Sequence, residues 1–136
     1  MARLLAIDYG LKRTGIAVSD PLKIIATGLT TISSRELISF LRQYTSKEEV
    51  EKIIVGLPLN LDNTETHGTA PARAAIESIR KEFPSIPVVE ADERLTSKMA
   101  RRAMVEMDLR KSKRKDKKIL DEIAATILLQ EFMGVD

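Results

Sequence analysis

The chain has 136 residues, enough for one domain that buries roughly 70% of the surface exposed when unfolded. With no cysteine and one histidine it excludes disulfides and thiolate metal sites, suits a reducing cytoplasm, and leaves carboxylates as the main ligands for any metal. The net charge of +2 conceals a basic segment: Arg110, Lys111, Lys113, Arg114, Lys115, Lys117 and Lys118 face only Asp116, a net +6 that leaves −4 on the rest.

Such a segment on an acidic body reads either as a polyanion contact or as a solvated charged loop. No apolar run is long enough to span a membrane, and no basic-then-apolar leader opens the chain, so a membrane partner is not expected.

In chain order, residues 3–8 predict a first strand whose four apolar residues end at Asp8 and a glycine turn. Residues 14–19 predict a second strand, hairpinned to the first through residues 10–13. Residues 24–32, rich in Ile, Thr and Leu, predict a third after the Asp20-Pro21 turn, in which Asp20 serves the turn itself. Short links between the three imply an antiparallel meander.

The period then changes. Ser34 is placed to cap a helix carrying Leu37, Ile38, Leu41 and Tyr44. Residues 52–57 read as a buried strand of the kind found between helices. Beyond a loop at 58–63, a helix runs to about Glu82 with Ala74, Ala75, Ile76 and Ile79 on its apolar side and Pro71 in its first turns. Pro84 stops it, and residues 86–90 predict a fifth strand. Thr96 or Ser97 caps a helix to about Met107, the basic segment follows, and a last helix covers about 117–133. The sum is one α/β domain over 1–136: a five-stranded mixed sheet, its first three strands antiparallel, with helices on both faces. That is the arrangement of the ribonuclease H-like fold.

Three carboxylates stand where chemistry gathers in such a sheet. Asp8 ends the first strand and Glu93 lies just past the fifth, so both belong to the rim at the carboxyl ends if the first, fourth and fifth strands are neighbours. Asp92 competes with Glu93, because successive strand residues point to opposite faces. Asp121 borders the apolar face of the last helix, formed chiefly by Leu120, Ile123, Ala124, Ile127 and Leu128, with Glu122 on the polar side. Ala124 and Ala125 are small enough for that helix to approach the sheet closely. The plainer readings are a turn role for Asp8 and helix-dipole stabilisation, worth about 0.3–1 kcal/mol, for Asp121. If the three meet, their repulsion requires cations between them. Two divalent ions ~3.5–4 Å apart activate a water and stabilise both oxygens of a phosphodiester displacement.

Basic residues supply the other half of such chemistry. Lys12 and Arg13, in the first hairpin turn, are either phosphate contacts or solvated. Arg94 orients Glu93 or binds the scissile phosphate, the plainer reading being an ion pair. Arg110, Lys111, Lys113, Arg114 and Lys115 are candidate backbone contacts for nucleic acid. His67, in a polar loop, reads as surface, and Glu131 falls inside the apolar arc of the last helix without an account.

Four blocks then carry a resemblance. Residues 5–10 with Lys12 and residues 14–20, residues 55–60, residues 92–97, and Asp121 with Ala124, Ala125 and residues 128–130 together resemble the YqgF (RuvX-type) family, in family order and over nearly the whole chain. The resemblance implies a ribonuclease H-like nuclease. It maps the family's metal-binding acids onto Asp8, Glu93 and Asp121 and implies Mg2+ or Mn2+ as cofactor. Bacterial members are associated with maturation of the 5′ end of pre-16S ribosomal RNA, and were first proposed as Holliday junction resolvases by analogy. One departure is Asn63 where the family usually has glycine; Asn tolerates the left-handed backbone better than most residues.

The expected activity is therefore a metal-dependent nuclease on pre-rRNA, in the cytoplasm, as a monomer or weak homodimer. Its rivals are a resolvase of four-way DNA with the same site and a nucleic-acid-binding module with a vestigial one. An actin-like or sugar-kinase lobe opens similarly but needs a second lobe that 136 residues do not supply.

Overall fold

Leu4, Leu5, Ala6 and Ile7 are all buried because their strand, β1 (Arg3–Tyr9), lies in the middle of a sheet covered on both faces. A strand buried on both sides has no polar face to show, so its apolar run does not alternate. The computed structural model describes residues 2–57, 67–92 and 117–134. Within them β2 (Arg13–Ser19), β3 (Ala26–Ser33), β4 (Val50–Leu57) and β5 (Val88–Asp92) complete a five-stranded sheet of order β3-β2-β1-β4-β5. The first three strands are antiparallel neighbours, and β1, β4 and β5 run parallel.

Helices α1 (Leu37–Lys47) and α2 (Thr69–Glu82) cover one face. There Leu5, Ile7, Ile16, Val18, Ile53 and Val55 meet Leu37, Leu41, Ala72, Ile76 and Ile79. Helix α3 (Lys117–Met133) covers the other, setting Ala125, Leu128 and Leu129 on Leu4, Ala6, Ala17 and Ile54. Burying a side chain of Leu or Ile size contributes roughly 1.5–3 kcal/mol, so the two layers hold the sheet from both sides.

Several element limits depart from the sequence reading, each for a local reason. β3 starts at Ala26 rather than 24, because the amides of Ile24 and Ile25 donate to the Asp20 carboxylate at 2.7 and 2.8 Å. Asp20 serves its turn as expected. β5 starts at Val88 rather than 86, because the Ile86 amide closes a turn on the Phe83 carbonyl at 3.0 Å. Ser34 does not cap α1. It lies in a single 3-10 turn, Ser34–Glu36, and its hydroxyl bonds Thr14 Oγ1 at 2.8 Å and donates to the Gly10 carbonyl. The residue that looked like a cap thus fastens the β1–β2 turn to the start of the helical layer. On α2 the buried alanine is Ala72, and Ala74 is exposed. Pro71 sits in the first turn, where its missing N–H has no helical partner to lose. The loop at 58–63 and the helix expected from Thr96 or Ser97 lie outside the described residues, whereas α3 spans the expected 117–133.

Candidate active site

Asp8 is not a turn residue. It lies inside β1, one position before its end, and pairs in register with Gly15 of β2. Directly opposed residues of an antiparallel pair point to the same face, with Cβ atoms roughly 4.5–5.5 Å apart. Asp8 and Gly15 therefore share the face that carries Ala6 and Ala17, which is the α3 face.

Gly15 shows how near that helix comes. A Cβ built on Gly15 would fall inside the Asp121 carbonyl group and 3.0 Å from the Glu122 amide nitrogen. The backbone of Asp121 thus rests on the one position of β2 that has no side chain, beside Asp8. Glycine within a strand often marks a close backbone approach, and this one brings two acids predicted as a pair to one place. A second glycine repeats the device on β3. A Cβ on Gly28 would lie 2.5 Å from Oε1 and 2.6 Å from Cγ of Glu122, so Glu122 lies over β3 rather than on a solvated side of the helix.

The phase of α3 is shifted from the sequence reading. The stripe on the sheet is that of Asp121, Ala125, Leu128 and Leu129, while Ala124 and Ile127 form a separate buried cluster with Leu120 and Ile123. Asp121 is consequently on the sheet-facing stripe itself, not at its border. Glu131 is exposed. It needs no packing account.

A carboxylate so placed needs a counter-charge, and Arg13 provides one. Arg13 Nε donates to Asp121 Oδ2 at 3.0 Å, with the two side chains 34% and 23% exposed. Arg13 is the first residue of β2 rather than a turn residue, two positions before Gly15 and so on the same face. Exposed or half-exposed pairs of this kind contribute about 0.2–1 kcal/mol.

The remaining candidates divide cleanly. Lys12 is exposed in the β1–β2 turn, where its carbonyl accepts from the Ser34 amide at 3.0 Å. Glu93, Arg94, Arg110, Lys111, Lys113, Arg114 and Lys115 lie outside the described residues, and Glu93 is the residue that follows β5. Since β4 separates β1 from β5 and all three run parallel, the carboxyl ends of β1 and β5 are at one rim, the condition that Asp8 and Glu93 required. Asp92 pairs with Leu57 in register, one step out of phase with Ala91, which packs toward α3. His67 is exposed. Among the described residues no three acids or histidines cluster as a metal site. Sequence reasoning missed Gly15, Gly28 and the partnership of Arg13. The signal for the first was a glycine amid the β-formers of residues 14–18.

Comparison with known proteins gives concordant results. The family described as "RuvX: Holliday junction resolvase" matches residues 2–134. A protein of Christiangramia forsetii named "Putative pre-16S rRNA nuclease" is 48% identical over 133 residues, covering 98% of each chain. A Bacteroides thetaiotaomicron protein of the same name is also 48% identical, covering 98% of this chain and 96% of its own. Among solved structures, T. thermophilus RuvC in complex with a Holliday junction substrate matches with a TM-score of 0.57 at 16% identity, over 98% of this chain and 97% of that one. At that identity the likeness speaks to the fold, which is the ribonuclease H-like sheet expected from the element order.

Proposed function

We propose, from the premise that this chain belongs to the RuvX family, that it is a metal-dependent phosphodiester nuclease that trims the 5′ region of pre-16S ribosomal RNA. The whole of 1–136 acts as one nuclease domain in the cytoplasm. Asp8, Glu93 and Asp121 are its catalytic acids, and Lys12, Arg13, Arg94, Arg110, Lys111, Lys113, Arg114 and Lys115 hold the nucleic-acid backbone. The observation that carries this reading is the seating of the Asp121 backbone on Gly15, the register partner of Asp8.

The residues suit a hard divalent ion. Their donors are carboxylate oxygens, and Asp121 already takes a cation, the Arg13 guanidinium, at 3.0 Å. When bound, Mg2+ or Mn2+ supplies Lewis-acid stabilisation of the attacking and leaving oxygens of a phosphodiester. The chain's own contribution is positional. β1 fixes Asp8 directly after its buried run, residues 4–7, α3 fixes Asp121 over Gly15, and the end of β5 leads directly into Glu93. The cationic side chains bind backbone phosphates and so orient the strand across the rim. Among the described residues no helix is long and apolar enough to cross a membrane.

The test incubates the protein with a pre-16S 5′ leader RNA and, separately, with a four-way DNA junction, each with Mg2+ or Mn2+. Cleavage of the RNA, lost in Asp8→Asn, is the expected result; equal activity in the variant removes the site. The family's description favours one second reading, resolution of four-way DNA. Paired symmetric cuts in the junction, with the RNA left whole, would establish that reading instead.

A further inference from the structure

We propose that Arg13 is a built-in counter-ion, which a divalent metal must displace from Asp121 when it binds. The inference rests on the assignment of Asp121 as a metal ligand and adds a role for a residue of the opposite charge.

Three observations carry it. Arg13 Nε approaches Asp121 Oδ2 at 3.0 Å, the distance of a charge-assisted hydrogen bond, and so occupies one of the oxygens that a metal would use. Arg13 also starts β2 on the face of Asp8 and Gly15, so its charge belongs to the same rim as both described acids. Its side chain is 34% exposed, and among the described residues the guanidinium makes no second side-chain hydrogen bond. Among the described residues the Nη groups thus carry no side-chain hydrogen bond, and the side chain is partly open to solvent.

The electrostatics then set the sign. Before metal binds, the guanidinium offsets the negative charge of the site. A divalent ion replaces that function with twice the charge and is repelled by Arg13 if the arginine stays. Metal and arginine compete for one carboxylate. The displaced guanidinium remains at the rim on its strand, its five N–H donors released from Asp121. A phosphate oxygen is the partner a nuclease substrate would bring to it.

Two measurements test this without any cleavage reaction. Mg2+ alone is titrated calorimetrically into the wild-type protein and into Arg13→Gln, which removes the charge and keeps a polar side chain. In parallel, the Arg13 Nε–H resonance of the wild-type protein is followed by NMR during the titration. The expected results are Mg2+ affinity tighter in Arg13→Gln by up to about fivefold, the worth of the lost pair, and a saturable shift of the Nε–H signal with the same dissociation constant as the wild-type heat. With Asp121→Asn in the background, the gain from Arg13→Gln disappears. Unchanged or weaker Mg2+ binding in Arg13→Gln, or an Nε–H signal indifferent to Mg2+, overturns the displacement while leaving the metal site intact. Absence of Mg2+ binding by the wild-type protein removes the site and the displacement together.

Discussion

The carbonyl of Asp121 occupies the space that a side chain on Gly15 would fill. At this point helix α3 meets the sheet through backbone, and the height of Asp121 over β2 is set by the absence of one methyl group. In Gly15→Ala the new Cβ meets backbone that cannot rotate away, so helix or strand must shift. Overpacking of this kind typically costs about 1–3 kcal/mol. Gly28→Ala meets the flexible side chain of Glu122 and should cost clearly less. Urea unfolding of both variants checks the order. Equal losses would mean that α3 has slack over β2.

Asp121→Asn separates stability from activity. The variant keeps the size of the side chain and removes the charge that Arg13 meets. The part of any folding loss that belongs to the Arg13 pair should be no more than about 1 kcal/mol, the worth of a half-exposed pair. A double-mutant cycle with Arg13→Gln should assign that loss to the pair, with a coupling of about 0.2–1 kcal/mol. RNA cleavage should fall by about two orders of magnitude or more, since a metal ligand supplies several kcal/mol of transition-state stabilisation. A stability loss with cleavage intact would make Asp121 a structural acid.

The parts of this fold readable in sequence are those in which a single chain segment carries its own period. β1 announces itself as four buried residues, α3 as an apolar helix, and Pro84 as a stop. Strand starts were misplaced where a side chain or turn captured the backbone first: Asp20 holds the amides of Ile24 and Ile25, and Phe83 holds that of Ile86. The hydroxyl of Ser34 found Thr14, twenty residues away, instead of the adjacent helix. Likewise the phase of α3 was not decided by its own hydrophobicity, because two apolar stripes compete on it. Gly15 and Gly28 decide between them, and those belong to other strands. The acids were legible as types at strand and helix ends. The partnership of Arg13 with Asp121, 108 residues apart, was not.

Asp20 gives a pH signature. The Ile25 amide, with a further contribution from that of Ile24, holds the Asp20 carboxyl below its ordinary value. A depressed folded-state pKa contributes stability above the unfolded pKa, near 3.9, and loses it as the pH falls through the folded one. Asp20→Asn retains an acceptor but does not titrate. The stability difference between wild type and Asp20→Asn should therefore be constant from neutral pH to about pH 5 and shrink below about pH 4. Denaturant melts across that range check it, and the Ile24 and Ile25 amide resonances should titrate with the same midpoint. A difference that grows on acidification would mean that the turn prefers the neutral carboxyl.

The basic segment is a claim about phosphate contacts, and salt is the variable that tests it. Each contact that neutralises a phosphate releases condensed counterion, so binding weakens linearly in log salt, with a slope of about 0.7 per contact on single strands. Replacing Arg110, Lys111, Lys113, Arg114 and Lys115 with Ala should lower affinity for the leader RNA and reduce that slope by up to about 3.5 if all five touch phosphate. Charge alone does not predict this outcome. The segment's charge, +6 over 110–118 with Lys117 and Lys118, also weakens binding through a general field when removed, but a field without contacts leaves most of the slope in place. Affinity measured at four salt concentrations distinguishes the two. A slope unchanged by the five substitutions would make the segment a bystander and move the backbone contacts to Lys12, Arg13 and Arg94.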